Sequence, residues 1–369
     1  MIPVFDPVIE EDDIQAVVSA LEAGEISGTF GQNIKRFEQE FAAFVDCQYG
    51  IAVNSGTSAL QLAVAAAGIG EGDEVLVSAS TNIATALAAL HNGALAIPVD
   101  SEPRTWNLDL DKLEELITPV TRAIIPVHLY GHPVDMDRLM QIAEAHDLIV
   151  IEDCAESHGA TVRGRKTGSF GHMACFSFYA NKVITTGEGG MITTNDEELA
   201  AKLRSLRNLA FTEPRFKHFE AGYNYRMPGF VAALGLSQLR KVERIIENKR
   251  RVAHRYNAQL NGVAGLRLPV EEDWALNVYW MYALVVEEEF GLSRDELAQA
   301  LQRADIQTRT FFCPMNQQPV LQGQTGYREL PAPVADDLWE RGLYLPSAWN
   351  LENEQIDRIA DVIRQASRS

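Results

Sequence analysis

From residue 50 onward the apolar positions switch repeatedly between a helical and a strand period. SALQLAVAAAG reads as a helix, DEVLVSAS as a strand, ATALAALHNGA as a helix and LAIPVD as a strand. DLDKLEELI, RAIIPVHLYG, MDRLMQIAEAHD and LIVIEDCAE repeat the alternation as helix, strand, helix, strand. Successive βα units need crossovers that lay helices on both faces of a sheet, so a largely parallel, doubly covered α/β sheet is expected. The pattern changes at Cys175, where CFSFY and GGMITTN read as two strands joined only by a loop, NKVITTGE.

A single long helical stretch is expected from about Val231 to Leu260. YWMYALVVEE, the helix LSRDELAQALQRAD, a loop rich in Pro and Gln, and a last helix, NEQIDRIADVIRQA, follow it. Strand and helix on this scale predict a smaller C-terminal α+β domain, dividing the chain into 1–246 and 247–369.

Composition sharpens this outline. The chain has 369 residues, 46% hydrophobic and 22% charged, as an ordinary globular protein with a real core has. Fifty-one acidic against 32 basic residues give a formal charge of −19, which repels nucleic-acid backbones and anionic membranes at long range. A local pocket for a small phosphate is still allowed. The four cysteines, Cys47, Cys154, Cys175 and Cys313, form no CxxC pair and read as small hydrophobes. MIPVFDPVIEEDD is acidic and has no signal-peptide pattern, and no apolar run of membrane-spanning length occurs, so a cytoplasmic protein is expected.

Three segments carry candidate chemistry at strand ends, where open α/β sheets bind ligands. AVNSGTSAL passes from a strand through Gly56, Thr57 and Ser58 into a helix. Free N–H groups at a helix start make an anion cradle, although plain N-capping explains the same residues. LIVIEDCAESHG ends a strand in Glu152 and Asp153, which could serve a ribose, a metal or a protonated ring nitrogen; Asp153, Glu156 and His158 lack a metal-ligand spacing, so no metal is expected. Lys182, in NKVITTGEGG, reads locally as a solvated loop lysine. A buried lysine would instead lose its charge readily and act as a nucleophile.

A phosphate cradle, a strand-end carboxylate and a nucleophilic lysine together fit pyridoxal phosphate. ATP and NAD fit poorly. RGRKTG at 163–168 lacks the P-loop glycines, and GIGEGD at 68–73 follows a helix with the wrong glycine spacing.

With these residues assembled, the chain resembles the DegT/DnrJ/EryC1/StrS family of sugar aminotransferases, pyridoxal phosphate enzymes of fold type I. The likeness is nearly full length: ISGTFGQNIKRFEQEF, NSGTSALQLA, GDEVLVSAST, PVHLYGHPVDMD, VIEDCAESHGA, GSFGHMACFSFYANKVITTGEGGM and GYNYRMPGFVAALGLSQL. It implies a mostly parallel seven-stranded sheet in a large domain with a smaller C-terminal one. It makes Lys182 the lysine that binds the cofactor aldehyde and Asp153 the partner of the ring nitrogen. Glu156 would lie by the ring oxygen, and Thr57, Ser58 and Ser177 would hold the phosphate.

Asn224, with Arg226 beside it, would reach the phosphate of a neighbouring subunit in a homodimer with shared sites. The implied reaction is transamination of a nucleotide-linked keto sugar, a 4-keto-6-deoxyhexose, with L-glutamate as donor and the cofactor alternating between pyridoxal and pyridoxamine phosphate. A sugar dehydratase and a non-catalytic regulatory relative are the alternatives. The dehydratases carry histidine in place of the lysine.

Three positions depart from the family pattern. Asn82 stands where an aromatic ring usually covers the cofactor. Cys313 and Asn316 stand where related sequences carry histidines near the expected sugar site, and His172 replaces a usual aspartate in what reads as a structural position.

Overall fold

A computed structural model of the chain describes residues 1–214 and 216–367. The βα alternation builds β1 (Tyr49–Val53), β2 (Glu74–Ser78), β3 (Leu95–Val99), β4 (Thr121–Ile125) and β5 (Ile149–Asp153). After a short hairpin, β6 (Thr161–Val162) and β7 (Arg165–Lys166), come β8 (Met173–Ser177) and β9 (Gly190–Thr194). Seven of these form one sheet in the order β1-β9-β8-β5-β4-β2-β3. Its neighbours pair parallel from β3 across to β8, and β9 alone runs against both its neighbours. Runs such as EVLVS are buried at every position, because helices cover both faces. The expected seven-stranded, mostly parallel sheet is therefore present.

Register explains how distant segments meet. Gly190, the first residue of β9, lies opposite both Val53, the last of β1, and Ser177, the last of β8. That brings the turn into the helix Gly56–Ala66 beside the end of β8. A Cβ on Gly56 would stand 2.7 Å from the Ser177 Cβ, so only glycine permits this approach.

The long helix expected over Val231–Leu260 is instead two, Gly229–Leu239 and Val242–Leu260, broken at Arg240 and Lys241. The first is apolar nearly all round and buried against the helices Glu11–Glu22 and Asn33–Phe44, whereas the second is amphipathic, and the break lets each meet its own layer. Lys241 at the break is pinned by Glu10, Asp12 and Asp13 at 3.1, 2.8 and 2.7 Å. Two helices before residue 50, Glu11–Glu22 and Asn33–Phe44, lie outside the span that the alternation covered.

The C-terminal part builds an antiparallel sheet from β10 (Leu266–Arg267), β12 (Tyr282–Val286), β13 (Arg309–Thr310) and β14 (Gly342–Leu345), in the order β10-β12-β14-β13; β11 (Ala275–Leu276) pairs with β6. Its core joins Val252, Tyr256 and Leu260 of the long helix to Tyr282, Leu284 and Ile359. The helix Pro333–Arg341 and β14 after it were not legible in the pattern. Among the described residues no helix is long and apolar enough to cross a membrane.

Candidate active site

The carboxyl ends of β1, β5 and β8 and the start of the helix Gly56–Ala66 surround a cavity of about 370 Å³. Gly56, Thr57, Asn82, Asp153, Glu156, Ser177 and Lys182 all line it. The fold therefore brings these seven candidates to one place.

Lys182 sits in the loop between β8 and β9, with its N–H donating to the Tyr179 carbonyl at 2.9 Å. Its Nζ stands 3.7 Å from the centre of the Trp280 ring. Burial pulls the amine below the ordinary lysine range, while Glu156 and Asp153 pull the other way. Lys182 is half-buried with its amine on the Trp280 face, and so differs from the solvated loop lysine of the local reading.

Asp153 ends β5 and accepts from the Thr85 hydroxyl at 3.0 Å and the Ala155 N–H at 3.1 Å. Burial raises its pKa, against those two donors and the positive Lys182. Glu156 accepts from the Tyr130 N–H at 2.7 Å, and burial pushes it up to about 7. Glu156 is thereby placed near neutrality, and burial biases Asp153 and Lys182 each toward its uncharged form.

The phosphate candidates separate. Ser55 caps the helix Gly56–Ala66 by accepting from the Ser58 N–H at 3.1 Å, and the first two helical residues, Gly56 and Thr57, line the cavity. Ser58 does not line the cavity: its hydroxyl is bound to Asn54 and Ser55. Asn82 stands at the exposed rim, its side-chain oxygen accepting from the Ala84 N–H at 3.0 Å.

Four candidates lie away from this cavity within the chain. Asn224 is exposed and bridges to Asn208, and Arg226 donates to the Asn208 side chain at 2.9 Å. Asn316 donates to Asp336 at 3.0 Å, and Cys313 is half-buried. The nearby wall is made instead by Phe312, Arg309 and Tyr344. Their only local sign is the aromatic pair in TFFCP.

His172 accepts from the Val150 N–H at 3.0 Å, a brace beside β5. His128, Glu152 and Cys154 cluster as closely as the ligands of a metal site would, yet His128 and Glu152 already have their polar atoms engaged. Glu152 accepts from the N–H groups of Gly168, Phe170 and Gly171, each at 2.8 Å, and from His128 at 3.2 Å, while the other His128 nitrogen accepts from Val134. This carboxylate ties the β5 end to the following loops.

The donor set fits pyridoxal phosphate. Helix-start N–H groups with the Thr57 and Ser177 hydroxyls suit a phosphate, Asp153 suits a cationic ring nitrogen, and Lys182 suits an aldehyde.

Comparison with known proteins agrees. The DegT/DnrJ/EryC1/StrS aminotransferase family pattern matches residues 7–364. GDP-perosamine synthase of Caulobacter vibrioides is 41% identical over 369 residues, covering 99% of this chain and 98% of that protein. The crystal structure of DesV from S. venezuelae in complex with a ketimine intermediate superposes with a TM-score of 0.90 at 36% identity, over 97% of this chain and 94% of that one. A mutant of GDP-4-keto-6-deoxymannose-3-dehydratase (ColD) with bound GDP-perosamine superposes with a TM-score of 0.92 at 26% identity, over 98% of this chain and 100% of that one.

Proposed function

Because the chain belongs to the DegT/DnrJ/EryC1/StrS aminotransferase family, we propose that it aminates a nucleotide-linked 4-keto-6-deoxyhexose, taking the nitrogen from L-glutamate, to give a 4-amino-4,6-dideoxy sugar. The broader activity, pyridoxal-phosphate-dependent transamination of a nucleotide sugar, follows from the family and its relatives. The finer substrate rests on two likenesses, to a protein named for making GDP-perosamine and to one named for a 4-keto-6-deoxy sugar that holds GDP-perosamine. The observation that carries the reading is Lys182 enclosed with Asp153 and Glu156 in one cavity.

The cofactor, when bound, supplies an aldehyde that takes up an amino group and a protonated ring that draws electrons from the carbon losing its proton. The chain does the rest. The Gly56 and Thr57 N–H groups and the Thr57 and Ser177 hydroxyls hold a phosphate; Asn224 and Arg226 of one protomer serve the phosphate of its partner in a homodimer. Ser58 keeps the turn in shape from behind. Asp153 offers its carboxylate to a protonated ring nitrogen, and that positive charge draws its raised pKa back down. Lys182, shifted toward the neutral amine, removes a proton from the α-carbon of the donor and later delivers one to the sugar carbon that receives nitrogen. Glu156, poised near neutrality, lies beside this path.

Incubation with pyridoxal phosphate, isotope-labelled glutamate and a panel of nucleotide-linked 4-keto and 3-keto sugars tests the proposal by mass spectrometry. Labelled nitrogen in a 4-keto sugar product supports it. A product that has lost oxygen without gaining nitrogen makes the chain a dehydratase, and no reaction across the panel overturns the substrate class.

A further inference from the structure

Lys182 is not held by its own loop alone. The face of Trp280, contributed from the segment leading into β12, lies within cation–π distance of its amine. That ring is fixed from several sides: its indole N–H donates to the carbonyl of Asn181, the residue before Lys182, at 2.8 Å, and its plane runs parallel to Tyr130 within 12° at 6.3 Å. Its backbone carbonyl accepts from the Nζ of Lys249 at 2.6 Å.

Lys249 itself is unusual. It lies on the helix Val242–Leu260, is 6% exposed, and spends its amine on two backbone carbonyls, those of Trp280 and Ser347, each at 2.6 Å. Among the described residues it has no ion pair. Burial lowers its pKa to about 7, with the charge of Lys182 adding to the shift. A methionine would fill the same space without that desolvation, so the amine is retained for what it holds.

We propose that Trp280 is the positioning residue of Lys182, a seat for its amine whenever that amine is free, and that Lys249 is the strut that keeps Trp280 in place. The proposal rests on the reading of Lys182 as the reactive amine. A lysine side chain is long and has many rotamers, yet a base that takes a proton from one carbon and delivers one to another must return to one spot. An aromatic face gives it that spot and favours the ammonium form. The charged and titratable groups that act on Lys182 are Asp153 and Glu156 from the β5 end, His158 behind them and Lys249 from the long helix.

The test uses cofactor-free protein. The rate at which acetic anhydride labels Lys182 is followed across pH by peptide mass spectrometry, in wild type, Trp280→Phe and Trp280→Leu. Loss of the aromatic face is expected to lower the labelling midpoint in Trp280→Leu by about one pH unit, with Trp280→Phe close to wild type. A midpoint in Trp280→Leu that is unchanged or raised overturns the positioning role.

The strut is read separately, in nitrogen-15 tryptophan-labelled protein. The Trp280 indole resonance, assigned by its loss in Trp280→Phe, is expected to move in Lys249→Met; an unmoved resonance overturns the strut. This measurement needs no Leu variant, so it stands even where that variant fails to fold. Borohydride trapping of pyridoxal phosphate on wild-type Lys182 checks the enzyme reading independently, so either idea can fail alone.

Discussion

The two walls of the cavity are built on different terms. The strand-end wall, from Gly56 through Asp153 and Glu156 to Lys182, joins two buried carboxylates to a half-buried lysine, and desolvation has displaced the pKa values of all three. His158, packed edge-on against Phe41 and Phe176 behind this wall, is driven down to about 3. The facing wall, from Trp280, Phe312 and Tyr344, is aromatic; its rings form a column in which Tyr130 lies parallel to both Trp280 and Phe312. The first wall spends folding energy on chemistry. The second fixes shape, with Arg309 as its one cation lining the cavity among the described residues.

Substitutions on the two walls should therefore fail differently. Lys182→Ala removes both the cofactor attachment and the base, and should lower amination by at least about 10⁴-fold, measured by turnover with glutamate. Asp153→Asn keeps the shape but loses the charge, and should lower kcat by roughly 10²- to 10³-fold with little change in the sugar KM. On the facing wall, Phe312→Ala should raise the sugar KM about tenfold and leave kcat within a few-fold, since it removes contact area and no proton-transfer group. A kcat loss at Phe312 as large as that at Asp153 would erase the distinction between the walls.

A smaller effect appears in stability. The unfolded chain takes up a proton at His158 below its ordinary 6.5, and the folded chain refuses it until about 3. The contribution is therefore whole above pH 6.5 and drains away as the pH falls from there toward 3. Between pH 6.5 and pH 4 this should cost about 3 kcal/mol, an amount that His158→Phe should largely remove from the pH dependence of denaturant unfolding. An equally steep acid loss in the variant would place the cost elsewhere.

The two walls also differ in how far they can be read from sequence. The strand-end wall is local: Asp153 closes an apolar run, Gly56 and Thr57 open a helix, and glycines follow Lys182, so the elements and the chemistry are written together. The Ser58 hydroxyl turns to Asn54 and Ser55, because the direction of a hydroxyl in a helix's first turn depends on which residue caps it, and Ser55 does. Trp280 and Tyr344 come to Lys182 from about 100 and 160 residues away in sequence, through β12 and β14, and no short pattern announces such an approach. Cys313 and Asn316 sit close to Phe312 in sequence, yet it is Phe312 that faces the cavity. The break at Arg240 and Lys241 is hidden because both flanks are good helix formers and only the layers they pack against differ.

That Lys182, on the strand-end wall, does the chemistry has a direct test, because a buried lysine, Lys249, lies on the far side of Trp280. Wild-type protein is incubated with pyridoxal phosphate, reduced with borohydride, digested and mapped by mass spectrometry. A pyridoxyl group on Lys182 and none on Lys249 is expected. A label on Lys249, or no stable label at all, would contradict that role of Lys182.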